Sequence, residues 1–135
     1  MSQENVEIVR RLLHAFVRGD YEASTEHIGA EVVLWSDPRA NMETQHVRGR
    51  EAVIASIGRF VSSFDEYWCA EPDELIDAGD WVVVVMRSGG RGRTSGVAVT
   101  QTWTVAYEVA ERKVVRIEFH PTREDALEAA GLSEW

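Results

Sequence analysis

The spacing of apolar residues changes period near residue 64, and nothing else in the chain constrains its fold as strongly. Before that point apolar side chains recur at three and four, the rhythm of a helix with one buried face; after it they recur at every second position, the rhythm of a strand. From Glu4 to Arg18, Val6, Val9, Leu13, Phe16 and Val17 share one side while Glu7, Arg10, Arg11, His14 and Arg18 fall largely on the other, which predicts an amphipathic helix. Gly19-Asp20 supplies a C-terminal glycine and a new N-cap, so Tyr21–Ile28 reads as a second, shorter helix. Val32–Trp35 is a brief strand that Asp37-Pro38 ends. A loop carrying Asn41, Glu43, Gln45 and His46 then leads through Gly49 into a third helix, Glu51–Phe64.

Beyond it lie four predicted strands, Tyr67–Ile76, Trp81–Arg87, Val97–Tyr107 and Val114–His120, separated by Ala78-Gly79-Asp80, by the glycine-rich Ser88–Gly96 and by Ala110–Lys113. They read as an antiparallel meander. A last helix, Arg123–Ala130, starts behind Thr122 as N-cap and stops at Gly131, with Leu127 and Leu132 expected to dock it across the open end of the sheet. Helices first and hairpin-linked strands after is the order of an α+β domain whose helices cover one face of a curved sheet. The 135 residues suit a single domain, 1–135, with a core that needs neither disulfide nor structural metal.

Charge and cysteine content narrow the function. A net charge of −9 argues against duplex nucleic acid as a partner, and the short basic cluster Arg87–Arg93 does not reverse that. With Cys69 as the lone cysteine there is no disulfide and no zinc-ligand spacing, and no metal is expected. No dinucleotide or phosphate-loop motif is visible, so no cofactor is expected either. The opening MSQENVEIVRR lacks a basic segment followed by an apolar run, and no apolar run nears the roughly 20 residues of a bilayer span. A soluble, cytoplasmic protein that does not contact membranes is the expectation.

Alternation in Val97–Tyr107 puts Val97, Val99, Gln101, Trp103, Val105 and Tyr107 on one face, read as the buried one. Gln101 is then a polar residue among apolar ones, and a buried amide without partners costs roughly 1–3 kcal/mol, so it is either bonded to a loop or turned toward a ligand. Of the tryptophans, Trp35 and Trp103 are candidates for the walls of a cavity. Ile117 lies on the apolar side of the last strand and joins them as a candidate lining residue, whereas Arg116, Glu118 and His120 face the other way. Arg87 shares a face with Trp81, Val83 and Val85 and is a candidate anion anchor.

Several segments carry a family signal in their order: ENVEIVRRLLHAFVRGD at the start, WSDP after the first strand, VRGREAV entering the third helix, IDAGDWVVV, KVVRIEFH and REDALEAAGL. Nearly the whole chain resembles the SnoaL-like members, of the polyketide cyclase and ketosteroid isomerase type, of the nuclear transport factor two-like superfamily. The resemblance implies a cone-shaped curved antiparallel sheet with helices on its concave face around a pocket, the cystatin-like α+β roll, and a homodimer through the outer sheet. It also implies a role for Asp37, since SDP is similar to the Asp-Pro of ketosteroid isomerases whose aspartate shuttles a proton. On that reading Asp37 is the general base and His46, in the loop at the pocket mouth, its partner; the competing reading has Asp37 cap the turn before Pro38.

The oxyanion pair of those isomerases is not matched: Leu12 stands at the tyrosine position of the first helix, and the aspartate position falls at or beside Trp103. Gln101 with Tyr107 or Tyr67 is the available substitute. Such a scaffold serves several chemistries, so three functions are open: a pocket that binds a hydrophobic or cyclic small molecule, an isomerase or cyclase that moves a proton on a carbonyl-bearing substrate, and a non-catalytic dimeric interaction module.

Overall fold

Residues 3–40 and 46–132 are described by the computed structural model of the chain; Asn41, Glu43 and Gln45 of the loop, and Trp135, lie outside them. Helix α1 (Gln3–Val17) buries Ile8, Val9, Leu12 and Leu13, the stripe its periodicity demands. Helix α2 is short (Tyr21–Thr25), because the chain from Ile28 onward is drawn into strand β1 (Ile28–Ser36), whose start is tied to the last strand by a Val114 N–H donating to the His27 carbonyl at 2.8 Å. A single 3₁₀ turn (Pro38–Ala40) follows, then strand β2 (His46–Arg48) and helix α3 (Arg50–Ser62). The β2 segment, expected to be loop, is a strand because it pairs antiparallel with Val33–Trp35.

The predicted strand Tyr67–Ile76 is two: β3 (Phe64–Cys69) and β4 (Glu74–Ala78). Ladder bonds exist on either side of the break, from the Ala70 N–H to the Arg87 carbonyl and from the Asp73 N–H to the Val85 carbonyl, while Pro72 between them has no N–H to give. Both pieces lie on the same edge of the long strand β5 (Trp81–Gly92), which runs straight through the glycines expected to form a loop. Gly89 is needed there: a Cβ would sit 2.3 Å from the Val99 carbonyl oxygen and 2.8 Å from the Trp68 ring. Strand β6 (Ala98–Ala110), strand β7 (Lys113–His120) and helix α4 (Arg123–Ala129) complete the chain. Thr122 is the N-cap of α4, its hydroxyl accepting the Asp125 N–H at 3.1 Å.

The strands form one curved, unclosed sheet in the order β2-β1-β7-β6-β5-β3, antiparallel except for the parallel β1/β7 pair. Helix α1 packs on one face with Val32, Leu34, Val82, Val84 and Val105, and α3 adds Val53. The last helix is on the other face, where Ala126, Leu127 and Ala130 cover Val83 and Ala106. It therefore backs the sheet and does not cross its open end; β5 and β6 are apolar on both sides because each face has a helix. No helix among the described residues is long and apolar enough to cross a membrane.

Candidate functional site

A cavity of about 290 Å³ lies between the inner face of the sheet and helices α1–α3. Leu12 and Phe16 reach it from α1, Ile57 and Phe60 from α3, and Trp103 and Ile117 from the sheet. The rings form a wall: Phe60 stands edge-on to Trp103 with centroids 5.5 Å apart, and Trp103 edge-on to Phe119 at 5.7 Å. Gly58 is at the exposed rim on α3, and a Cβ there would meet nothing within 4 Å.

One end is polar. A bulge between Asp65 and Trp68, with Glu66 in the left-handed region at φ 56°, shifts the β3 register by one residue. Regular alternation from Phe64 would turn Glu66 and Trp68 inward; after the shift Tyr67 and Cys69 line the cavity, and Trp68 is left exposed over Gly89. Cys69 pairs with Ser88 across the sheet, and the Trp103 indole N–H donates to the Ser88 hydroxyl at 2.7 Å. Tyr67 lies beside Ser88 and Cys69 at this end. Tyr107 adds a third hydroxyl from β6.

These groups are neutral around pH 7. Burial pushes the Cys69 thiol up to about 11, against the opposing pull of its Tyr67 hydrogen bond. Burial likewise raises the Tyr67 and Tyr107 phenols well above the usual value. Among the described residues, no carboxylate, imidazole, ammonium or guanidinium lines the cavity.

Trp103 and Ile117 of the expected site are in the cavity wall. Gln101 sits opposite Ser88 in the β5/β6 ladder but is not part of the lining, being half-buried near the strand end. Trp35 is corrected to the outer face: on β1 the fully buried Val32, Leu34 and Ser36 point inward, so Trp35 points out, its ring 5.4 Å from that of His120. Arg87 is also corrected to the outer face, since Met86 and Ser88 on either side of it point inward; it is exposed and paired with Asp73 at 3.0 Å. Its alternation was read correctly, but both faces of β5 are apolar, and the face it shares with Val83 is the one under α4.

Asp37 does not reach the cavity either. The 3₁₀ turn is closed by the Ala40 N–H donating to the Asp37 carbonyl at 2.8 Å; the Asp37 carboxylate accepts the Arg39 backbone N–H at 2.9 Å and holds the Arg39 guanidinium with both oxygens, at 3.0 and 2.8 Å. The side-chain and backbone hydrogen bonds from Arg39 keep its carboxyl down at about 2, the wrong direction for a base. His46 is exposed at the head of β2, opposite Trp35, and is not among the partners of Asp37 in the described structure. Ser88 and Cys69 were missed as cavity residues: Ser88 opens a glycine-rich stretch that reads as a loop, and only the bulge puts Cys69 inside.

An unclosed curved sheet with helices α1–α3 on its inner face and an apolar cavity between them is the architecture of the cystatin-like α+β proteins. The chain matches the SnoaL-like domain over residues 9–117, and it belongs to that family. Its structure is similar to a nuclear transport factor two-like protein of unknown function from Burkholderia pseudomallei (22% identity, 95% of this chain and 97% of that one, TM-score 0.74). It is similar too to a cystatin-like protein from Xanthomonas campestris (18%, 96% and 98%, TM-score 0.75) and to a proposed polyketide cyclase from Sinorhizobium meliloti (20%, 84% and 94%, TM-score 0.65). Comparison with curated proteins by sequence gives no match.

Proposed function

We propose that this SnoaL-like domain binds a small, neutral, largely apolar molecule in the cavity between α1–α3 and the sheet, without using Asp37 as a base. The observation that carries the reading is the lining: rings and aliphatic side chains with neutral hydroxyls from α2, α3 and the sheet, a composition usual for small-molecule sites. A charged ligand would find no counter-charge among the described residues there, and burying an unpaired charge is prohibitive. The proton-transfer alternative loses its candidate base to the Arg39 pair.

Gly58 provides the test. A leucine at this rim position fits without displacing any atom within 4 Å of its Cβ, and it removes a helix-interior glycine that costs about 0.5–1 kcal/mol relative to alanine. Gly58→Leu is expected to melt at or above wild type yet lose ligand binding. In a thermal-shift screen of neutral ring compounds, a ligand at a hundredfold its Kd adds about 2.7 kcal/mol, on the order of 10 °C for a chain of this length. That shift should vanish in Gly58→Leu and persist in Asp37→Asn; the reverse pattern would restore Asp37 to the site.

A further inference from the structure

Most exposed edges of the sheet are blunted against further pairing. Strand β2 is three residues long, β3 is bulged and carries Asp65 and Glu66, and β4 follows Pro72 and carries Glu74 and Asp77. One edge of β6 has no such protection. Its pairing with β7 begins at Thr104, opposite His120, so Ala98–Trp103 has β5 on one side and no strand among the described residues on the other.

Hydrogen-bond phase fixes what that edge presents. The Gly92 N–H donates to the Val97 carbonyl at 2.9 Å, and the β5/β6 register continues without a shift through Gly90 opposite Val99 and Ser88 opposite Gln101. Odd-numbered residues of β6 therefore turn their N–H and C=O groups toward β5, and even-numbered ones turn them away from it. From Thr104 onward the even residues meet β7. Ala98, Thr100 and Thr102 have no strand opposite them on that side among the described residues, and all three are exposed.

The chemistry of this edge favours a copy of itself. Val97–Tyr107 holds neither a charged residue nor a proline, in a chain of net charge −9. Copies of so acidic a chain repel one another in general, but an uncharged strand rich in threonine and valine lets two edges approach. Antiparallel about Thr100, Ala98 meets Thr102, Thr100 meets Thr100 and Thr102 meets Ala98. Each is a pair that exchanges both backbone hydrogen bonds, about six in all, and threonine opposite threonine is a favourable cross-strand pair. The length fits as well: Gly96, at φ 72°, turns the chain away at one end, and His120 occupies Thr104 at the other.

We propose that the free edge of β6, Ala98–Thr102, pairs antiparallel with the same edge of a second copy and joins the two sheets edge to edge. In that pairing Val99 of each copy lies beside Gln101 of the other, which covers the amide left half-buried near the strand end. The contact differs from one between outer sheet faces and is independent of what occupies the cavity.

Sedimentation equilibrium tests it, on protein concentrations up to about 1 mM, since so short an interface belongs to the weak, transient class. Thr100→Pro removes an outward N–H from each copy and leaves the β5 ladder intact. Thr100→Lys sets like charges directly opposite one another. Wild type should dimerise reversibly, and each variant, with its fold checked by thermal melting, should associate at least about tenfold more weakly, the worth of two neutral hydrogen bonds. Amide hydrogen exchange reads the contact in unaltered protein: the Ala98, Thr100 and Thr102 N–H groups should slow with rising concentration far more than those of Val99 and Gln101, which already face β5. A chain that stays monomeric throughout overturns the proposal. So does association that survives Thr100→Lys, or that forms without protecting the three amides; copies joined by their sheet faces would give that result.

Discussion

Asp37 and Arg39 sit two positions apart, and their pairing decides what the carboxylate does. A turn that bonds the Arg39 N–H to Asp37 also brings the guanidinium back across both oxygens, so the charged form is held locally. Because the carboxyl is depressed from 3.8 to about 2, its contribution to stability is complete above the ordinary value and is lost as pH falls through about 2. Asp37→Asn should lower the melting temperature at pH 7 by no more than a few degrees, as expected of a surface pair. The gap to wild type should close between pH 4 and pH 2, and a gap that stays constant with pH would show that the charge of Asp37 is irrelevant to folding. The sequence offered both roles for this residue, base and turn cap. Only the position of the Arg39 side chain separates them.

At the scale of elements, helix identity and strand parity were largely legible, whereas pairing was not. Thr122 capping α4 and the apolar stripe of α1 follow from residues within a few positions of each other. The passage of β5 through Gly89 and Gly90 does not, because the reason for those glycines lies in β3 and β6. Gly89→Ala should destabilise by about 1–3 kcal/mol, the usual penalty for overpacking, since the new methyl meets a backbone carbonyl and a tryptophan ring that have little room to yield. Urea denaturation measures it; an unchanged midpoint would mean that the β5/β6 arm relaxes freely. The same arm carries Ser88, so the glycines indirectly position the polar end of the cavity.

For the molecule as a whole, the two sheet faces divide the chemistry. The inner face holds the neutral cavity, while the outer face carries a network of Arg116, Glu118 and His120 beside Trp35. Burial raises the Glu118 carboxyl, but hydrogen bonds from His120 at 2.9 Å and from Arg116 outweigh it, and the net shift is below 4.5. Its contribution is therefore present above pH 4.5 and declines in acid. Glu118→Gln should cost on the order of 1–3 kcal/mol at pH 7, because a nearly buried His120 and Arg116 lose a charged acceptor. It should also flatten the fall of melting temperature between pH 5 and pH 3. Equal slopes for the two proteins would assign acid sensitivity to other carboxylates.

Local rules were enough for the main helices and for three of the long strands, because helical and strand periods, N-caps and prolines act within a few residues; the β2 strand and the run of β5 through its glycines depend on pairing partners. Local rules also placed Trp103 and Ile117 on the inner face, since alternation holds from Trp103 to Tyr107 and from Ile117 to Phe119. Which side chains meet in the cavity was decided only by the tertiary structure. Parity labels two faces of a strand without saying which one a helix will cover, so Trp35 and Arg87 were assigned inward although they point out. A single extra residue at Glu66 exchanges one set of β3 side chains for the other. That exchange depends on how β3 pairs with β5, where periodicity carries no information.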